Sequence, residues 1–467
     1  MTIARELARR IRAFRFADLP DDAIRWARTA ILDTVGVALA GSGEDCVSIL
    51  ERTEGIGGAP GPCLVFGRAA RTSALDATLI NGTASHALDF DDVAPGIGGH
   101  PSVPLVPAIV ALGEAEGASG EEALTAYVAG YETESRIGRA VNFHHYEKGW
   151  HPTPTLGVFG AVAASSRLLG LTEEQTATAL GLAASLAAGI KANFGTMTKP
   201  LHIGHCGRSG MLAAMLAKEG FTADEGAFEH AHGFFAVFDG ADNVDADKVF
   251  DGWADPLEVA DPGPGLKQFP CCGSTHPSIA CALELFRDEG FEPETVAGIE
   301  VLTNPRRLPH TDNPDPKTGL EAKFSIQYAV ARALISGRVG FEHFEGDAFN
   351  DLAVRALMAR VRVGPHPEMG AHSDQQFAAE VIVTTHDGRK LAARDDHKIG
   401  RGPADPMSRD ELWAKFEDCA GRALPENRIR PLFETLERFE TLKSMTALTD
   451  AIAIEAGAPP TRKKKVG

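Results

Sequence analysis

The chain has 467 residues, 44% hydrophobic and 24% charged, with a formal net charge of −18. That length exceeds one ordinary core, so two or three domains are expected, and the composition is that of a globular chain, not a disordered one. Nucleic acid and anionic membrane surfaces attract basic proteins, so neither is an expected partner for so acidic a chain.

The seven cysteines, Cys46, Cys63, Cys206, Cys271, Cys272, Cys281 and Cys419, show no C-x-x-C spacing and suit reduced thiols of a cytoplasmic protein. The N-terminal residues start an amphipathic helix and lack a signal peptide's apolar core. The longest apolar run, residues 177–190, carries Thr178 and Ser185 and is too short for a bilayer. Residues 2–40 predict two amphipathic helices, the second introduced by Asp21 and Asp22, whose carboxylates suit a helix N-terminus. A further helix spans about 72–92 and ends in Asp89, Asp91 and Asp92. Three carboxylates there oppose the helix dipole, which calls for a paired cation or a proton relay, or else for a solvated end.

A glycine-rich loop, 95–99, presents His100. Helices near 104–117, 120–139, 154–170 and 172–190 follow, with small inner residues that suit a closely packed all-α bundle. Between two of them stand His144, His145, Trp150 and His151. Pro152 biases His151 toward extended backbone just ahead of a helix, and the indole beside it can exclude water. Residues 191–210 lie between that run and a small-residue helix, 211–218. They gather Lys191, Lys199, His202, His205 and Arg208 with no acid among them, and Gly195, Gly204, Gly207 and Gly210 allow close approach. Burying unpaired cations is expensive, so the stretch reads as a pocket for a carboxylate or phosphate; surface lysines on a loop are the plain alternative.

Pro/Gly-rich stretches at 255–265 and 400–406 bracket a change of pattern. Strands are predicted at 297–303, 377–385 and 390–394, with Asp387-Gly388 as a hairpin turn, and helices near 275–288, 320–336 and 350–361. The fold class is therefore mainly α: a large all-α helical domain, 1–262, plus a smaller α+β lid domain, 263–402. Residues 403–467 return to the large domain as helices and end in a basic tail expected to be disordered.

Proton abstraction beside a carboxylate develops charge that fixed cations stabilise, and histidine suits the proton transfers. On that ground Asp89, His100, His151, Lys199 and Lys267 are the candidate catalytic residues. No metal is expected, because His202 and His205 have no carboxylate close in sequence, and with His144 and His145 they show no finger spacing. No G-x-G-x-x-G follows a strand, so no dinucleotide cofactor is expected.

Gly195-Thr-Met-Thr-Lys199-Pro-Leu-His202 resembles the signature of the MmgE/PrpD family. The resemblance recurs at residues 81–92, at His100-Pro-Ser, at Gly149-Trp-His-Pro-Thr-Pro, at 267–276 and at Ala322-Lys-Phe-Ser-Ile-Gln-Tyr328, in order over most of the chain. It implies a cofactor-independent enzyme acting on a small di- or tricarboxylate, homodimeric through its helical domain. It implies an active site between helical domain and lid at Asp89, His100, His151, Lys199 and Lys267. Lys191, His202, Arg208, Cys272 and His276 are the expected substrate contacts. The family includes 2-methylcitrate dehydratases, iminodisuccinate epimerases and cis-aconitate decarboxylases, expected here in that order. Decarboxylation comes third because Cys272 stands where the decarboxylases carry a catalytic histidine, two positions after Phe-Pro. A carboxylate-binding protein without activity is the reading from another class.

Overall fold

The computed structural model describes residues 1–94, 96–289, 293–370, 377–396 and 400–454. Pro95 of the expected glycine-rich loop and the basic tail lie outside these residues. The chain divides into two compact units, Met1–Leu266 together with Gly402 onward, and Lys267–Arg401.

The first unit opens with α1 (Ile3–Ala13), α2 (Asp21–Gly41) and α3 (Asp45–Arg52), then a short antiparallel pair, β1 (Cys63–Leu64) and β2 (Arg71–Thr72). Next come α4 (Ala74–His86), α5 (Val106–Glu116), α6 (Gly120–Val141), α7 (His144–Lys148), α8 (Pro152–Leu168), α9 (Glu173–Leu186), α10 (Thr198–Lys218) and α11 (Phe234–Phe238). Local chemistry sets many of these starts. The Ser73 hydroxyl caps α4, Ser119 with Glu122 forms a capping box on α6, and Thr172 with Gln175 does the same on α9.

The helix expected over 72–92 stops at His86 instead, so Asp89, Asp91 and Asp92 lie on irregular backbone beyond it. The opposite departure occurs at 198–210, expected between helices but helical throughout as the first part of α10. Its glycines do not break it, because they face neighbouring helices. A Cβ on Gly204 would stand 2.1 Å from the Leu79 carbonyl oxygen, and one on Gly82 2.8 Å from the Gly204 Cα. Only glycine at both positions lets α4 and α10 touch backbone to backbone. Residues 76–86 of α4 are all buried, so this contact lies inside the core.

The second unit holds α12 (His276–Glu289), β3 (Val296–Thr303), α13 (Leu308–Thr311), α14 (Gly319–Ala322), α15 (Ile326–Ser336), α16 (Leu352–Met358), β4 (Val361–Pro365), β5 (Ala379–Thr385) and β6 (Lys390–Asp395). Its sheet runs β4-β3-β5-β6, with β3 parallel to β4 and antiparallel to β5. The Asp387-Gly388 turn joins β5 to β6 with Gly388 at φ +89°. β4 lies outside the expected strands, since its Val-Arg-Val-Gly-Pro is too short to show alternation. Helices α12 and α15 pack on the sheet around Ile279, Val301, Tyr328, Val330 and Val381.

The chain then returns to the first unit as α17 (Arg409–Ala420), α18 (Glu426–Leu436) and α19 (Met445–Ile452). Lys415 of α17 donates to the Phe90 carbonyl at 3.0 Å and pairs with Asp33 of α2 at 2.7 Å, pinning the segment that carries the acidic residues. No helix among the described residues is long and apolar enough to cross a membrane.

Candidate active site

The candidate site of the first unit forms where the end of α4, the start of α8 and the first turn of α10 converge. Because α10 begins at Thr198, Lys199 is fixed on its first turn, where Lys199 Nζ donates to Asp89 Oδ1 at 2.8 Å. Both side chains are nearly enclosed, at 8% and 5% exposure. A buried ion pair of this kind is held in place by packing, since neither partner can escape to water. Asp89 reaches Lys199 by taking φ +54°, a left-handed conformation that turns the chain sharply after α4.

Beside the pair lies a second cluster. His100 Nδ1 is 2.9 Å from Asp91 Oδ2 and 2.8 Å from the Asp92 carbonyl oxygen, while His100 Nε2 is 3.7 Å from Asp89 Oδ1. His86 Nδ1 lies 2.9 Å from both oxygens of the same Asp91. Burial alone would raise Asp91, but His86 and His100 outweigh it and hold the carboxyl well below its ordinary range. Burial pushes His86 down to about 3, Asp91 resisting and Lys199 adding to the effect. Asp92 goes the other way. Burial raises it to about 8, against the hydrogen bonds from Ser102 and with help from the charges of Asp91 and Asp33. Its carboxyl meets the Ser102 hydroxyl, which is 2.7 Å from the Tyr127 hydroxyl.

His151 has extended backbone (φ −90°, ψ 101°) immediately ahead of α8, with Pro152 as the first helical residue, as its sequence context predicts. An antiparallel bridge fixes it: His151 N–H donates to the Gly189 carbonyl at 3.0 Å and Lys191 N–H to the Gly149 carbonyl at 2.9 Å. Its Nδ1 is 3.1 Å from His202 Nδ1, so one imidazole donates to the other. Burial first, then Lys199 and the neighbouring histidines, lowers His151 well below its ordinary value; burial, His205 and Lys199 take His202 to about 4. The ring that shields His151 is Phe194, edge-on at 4.9 Å, and not Trp150. The indole stacks on Phe238 and donates to its carbonyl at 2.9 Å.

The structure thus brings Asp89, His100, His151, Lys199 and His202 together. Lys191 is one bridge away, its ammonium donating to the Tyr146 carbonyl at 3.0 Å. Arg208 is the exception. It lies nine residues beyond Lys199 on α10, about 13.5 Å by helix rise, where its half-exposed guanidinium faces Asp76 at 3.7 Å. Helical backbone turns it away from Lys199, so the expected substrate contact is not supported there. Lys267, Cys272 and His276 belong to the second unit. Lys267 is buried, Cys272 N–H donates to the Lys323 carbonyl at 3.0 Å, and His276 begins α12 with its ring edge-on to Phe269.

His86 is not among the residues expected from the sequence, although it ends the helix that leads to the three acids. With it, His86, Asp89, Asp91 and His100 bring four donor atoms within 4.8 Å. These residues do not fit a metal ion well: two imidazoles already address Asp91, and the Lys199 ammonium stands against Asp89. The four histidines weighed for metal are dispersed: His144 and His145 both face Asp239, His202 faces His151, and His205 is exposed.

Comparison with known proteins adds to this geometry. The model of the MmgE/PrpD N-terminal domain matches residues 5–247, and that of the MmgE/PrpD C-terminal domain matches residues 269–438. The chain is 29% identical to a cis-aconitate decarboxylase of Mus musculus, over 96% of this chain and 93% of that protein. It is 28% identical to one of Homo sapiens, over 98% and 96%, and 23% identical to one of Aspergillus terreus, over 95% and 94%.

Proposed function

The chain belongs to the MmgE/PrpD family, and on that premise we propose that it is a lyase of a small tricarboxylate that works through a carboxylate-stabilised carbanion. The observation that carries the reading is the enclosed Lys199–Asp89 pair beside His151, a histidine whose proton affinity burial has lowered. In this reading Lys199 stabilises charge developing on a substrate carboxylate. Anionic substrate raises the proton affinity of His151 toward the working pH, where an imidazole transfers protons best.

The names of the relatives favour decarboxylation of a cis-aconitate-type acid over the order expected from the sequence. In that reaction the bond to one carboxyl carbon breaks and CO₂ departs. Its electron pair enters the conjugated system of the remaining carboxylates, and a proton from an imidazolium quenches the carbanion, to be replaced from solvent. Dehydration of a methylcitrate-type acid is the second reading, and Cys272 favours it by standing where the decarboxylases have histidine. There the imidazole takes a proton from carbon and hydroxide leaves protonated as water. Asp89, His100, His151 and Lys199 are the proposed catalytic groups of the first unit, with His202 and Lys191 beside them. The family resemblance supports a catalytic role for Lys267 and substrate contacts for Cys272 and His276.

Incubation of the purified protein with cis-aconitate, 2-methylcitrate and iminodisuccinate in deuterated water, followed by NMR, tests the proposal. Loss of CO₂ with one deuteron in the product supports decarboxylation; loss of water supports dehydration. Binding of the acids without turnover would leave a carboxylate-binding protein.

A further inference from the structure

Asp91 is a buried carboxylate addressed by two imidazoles at once, and only one of them, His100, belongs to the proposed catalytic groups. The other, His86, is the last residue of α4, with a side chain at 0% exposure. A group so enclosed does not meet a substrate. Its place is nevertheless tightly set, because α4 is held against α10 by the contact of Gly82 with Gly204.

We propose that His86 is a positioning residue: through the carboxylate of Asp91 it holds His100 with Nδ1 as the protonated, donating nitrogen and with Nε2 turned to the side of Asp89. The argument is one of donors and acceptors. The partners of His100 Nδ1 are the Asp91 carboxylate and the Asp92 carbonyl oxygen, both acceptors, so Nδ1 carries the proton. The same logic applies to His86 Nδ1, which faces both Asp91 oxygens. Neither oxygen of Asp91 can then rotate away to accept a proton from the other side. His86 Nε2 has no hydrogen-bond partner among the described residues, so a second proton on that ring would leave a buried donor unpaired. His86 is therefore a neutral, one-way donor. The rings of His86 and His100 meet edge to face, with centroids 4.6 Å apart, which fixes the tilt of His100 as well as its tautomer. A carboxylate that orients a working imidazole is a known device, and around metal-bound imidazoles loss of such an outer partner costs about 10–100-fold in activity, the scale taken here. The proposal deepens the lyase reading, since it concerns the orientation of one of its acid–base groups.

The decisive measurement needs no assay. In protein labelled with ¹⁵N-histidine, a long-range ¹H–¹⁵N spectrum at pH 7 should show Nδ1 protonated in both imidazoles, with assignments from His86→Asn and His100→Asn. A His100 whose Nδ1 carries no proton overturns the proposal. Kinetics give the second test. His86→Leu should lower kcat about 10–100-fold with little change in KM, whereas His86→Asn, whose amide can replace the Nδ1 donor, should recover most of that loss. Equal losses in the two variants overturn the positioning role and make His86 Nε2 a participant in the reaction. Absence of turnover on every tricarboxylate would sink the lyase reading alone, and the spectrum would still decide this one.

Discussion

The Lys199 ammonium stands 2.8 Å from Asp89 Oδ1, and it is the left-handed backbone of Asp89, at φ +54°, that delivers the carboxylate to it. A left-handed residue with a side chain costs on the order of 1–2 kcal/mol, so the surrounding contacts must hold it there. Lys415 does so from below, by binding the Phe90 carbonyl of the next residue. Strain kept in place at a charged, enclosed pair is a common mark of a working site.

Separating the charge of Asp89 from its backbone shape gives the first prediction. Asn tolerates left-handed φ, so Asp89→Asn should fold normally yet lose transition-state stabilisation. Lys199→Met should lower kcat/KM by about 2–5 kcal/mol, the range for truncating one partner of a buried charge pair. An unchanged kcat/KM in both variants would remove the pair from the site.

His151→Gln preserves much of the size and hydrogen bonding of the imidazole but cannot exchange a proton near neutral pH. The variant should bind substrate and lose the incorporation of solvent deuterium into product. Incorporation at the wild-type rate would show that another group moves the proton.

Asp92 supplies a pH-dependent prediction. Its folded-state value of about 8 lies above the 3.8 of a free aspartate. Between those limits the folded protein keeps a proton that the unfolded chain has lost, so Asp92 makes stability fall as pH rises, by up to about 1.4 kcal/mol per unit. Asp92→Asn cannot ionise. Its stability relative to wild type should therefore grow from pH 5 to pH 8 in urea titrations, and a gap that does not change with pH would contradict the prediction.

The contact of α4 with α10 predicts that Gly204→Ala is costly, since the added Cβ would lie 2.1 Å from the Leu79 carbonyl oxygen. We expect a loss of about 1–3 kcal/mol in chemical denaturation, together with a fall in kcat as Lys199 moves away from Asp89. A variant with wild-type stability and rate would show that the two helices have slack.

Removal of divalent metals should leave the rate unchanged, because the Lys199 ammonium already occupies the cation position against Asp89. Loss of activity in EDTA with rescue by one divalent ion would refute this.

Much of the site could be read from local sequence. Pro152 sets the extended backbone of His151, Asp387-Gly388 sets the hairpin, and the motifs that carry the family resemblance hold Asp89, His100, His151 and Lys199, the residues proposed for the site. Each rests on interactions within a few residues, which sequence patterns encode directly. Other features depend on partners that the chain brings from far away. The glycines of 198–210 look like helix breakers in the sequence, yet their contacts with α4 and α8 keep that stretch in α10. Helical phase then turns Arg208 toward Asp76 and Lys199 toward Asp89. The three acids at 89, 91 and 92 look alike in the sequence. Tertiary structure gave Asp89 a lysine, Asp91 two histidines and Asp92 a buried hydroxyl, and so drove the proton affinities of Asp91 and Asp92 in opposite directions, because a carboxyl's charge depends on what is packed against it.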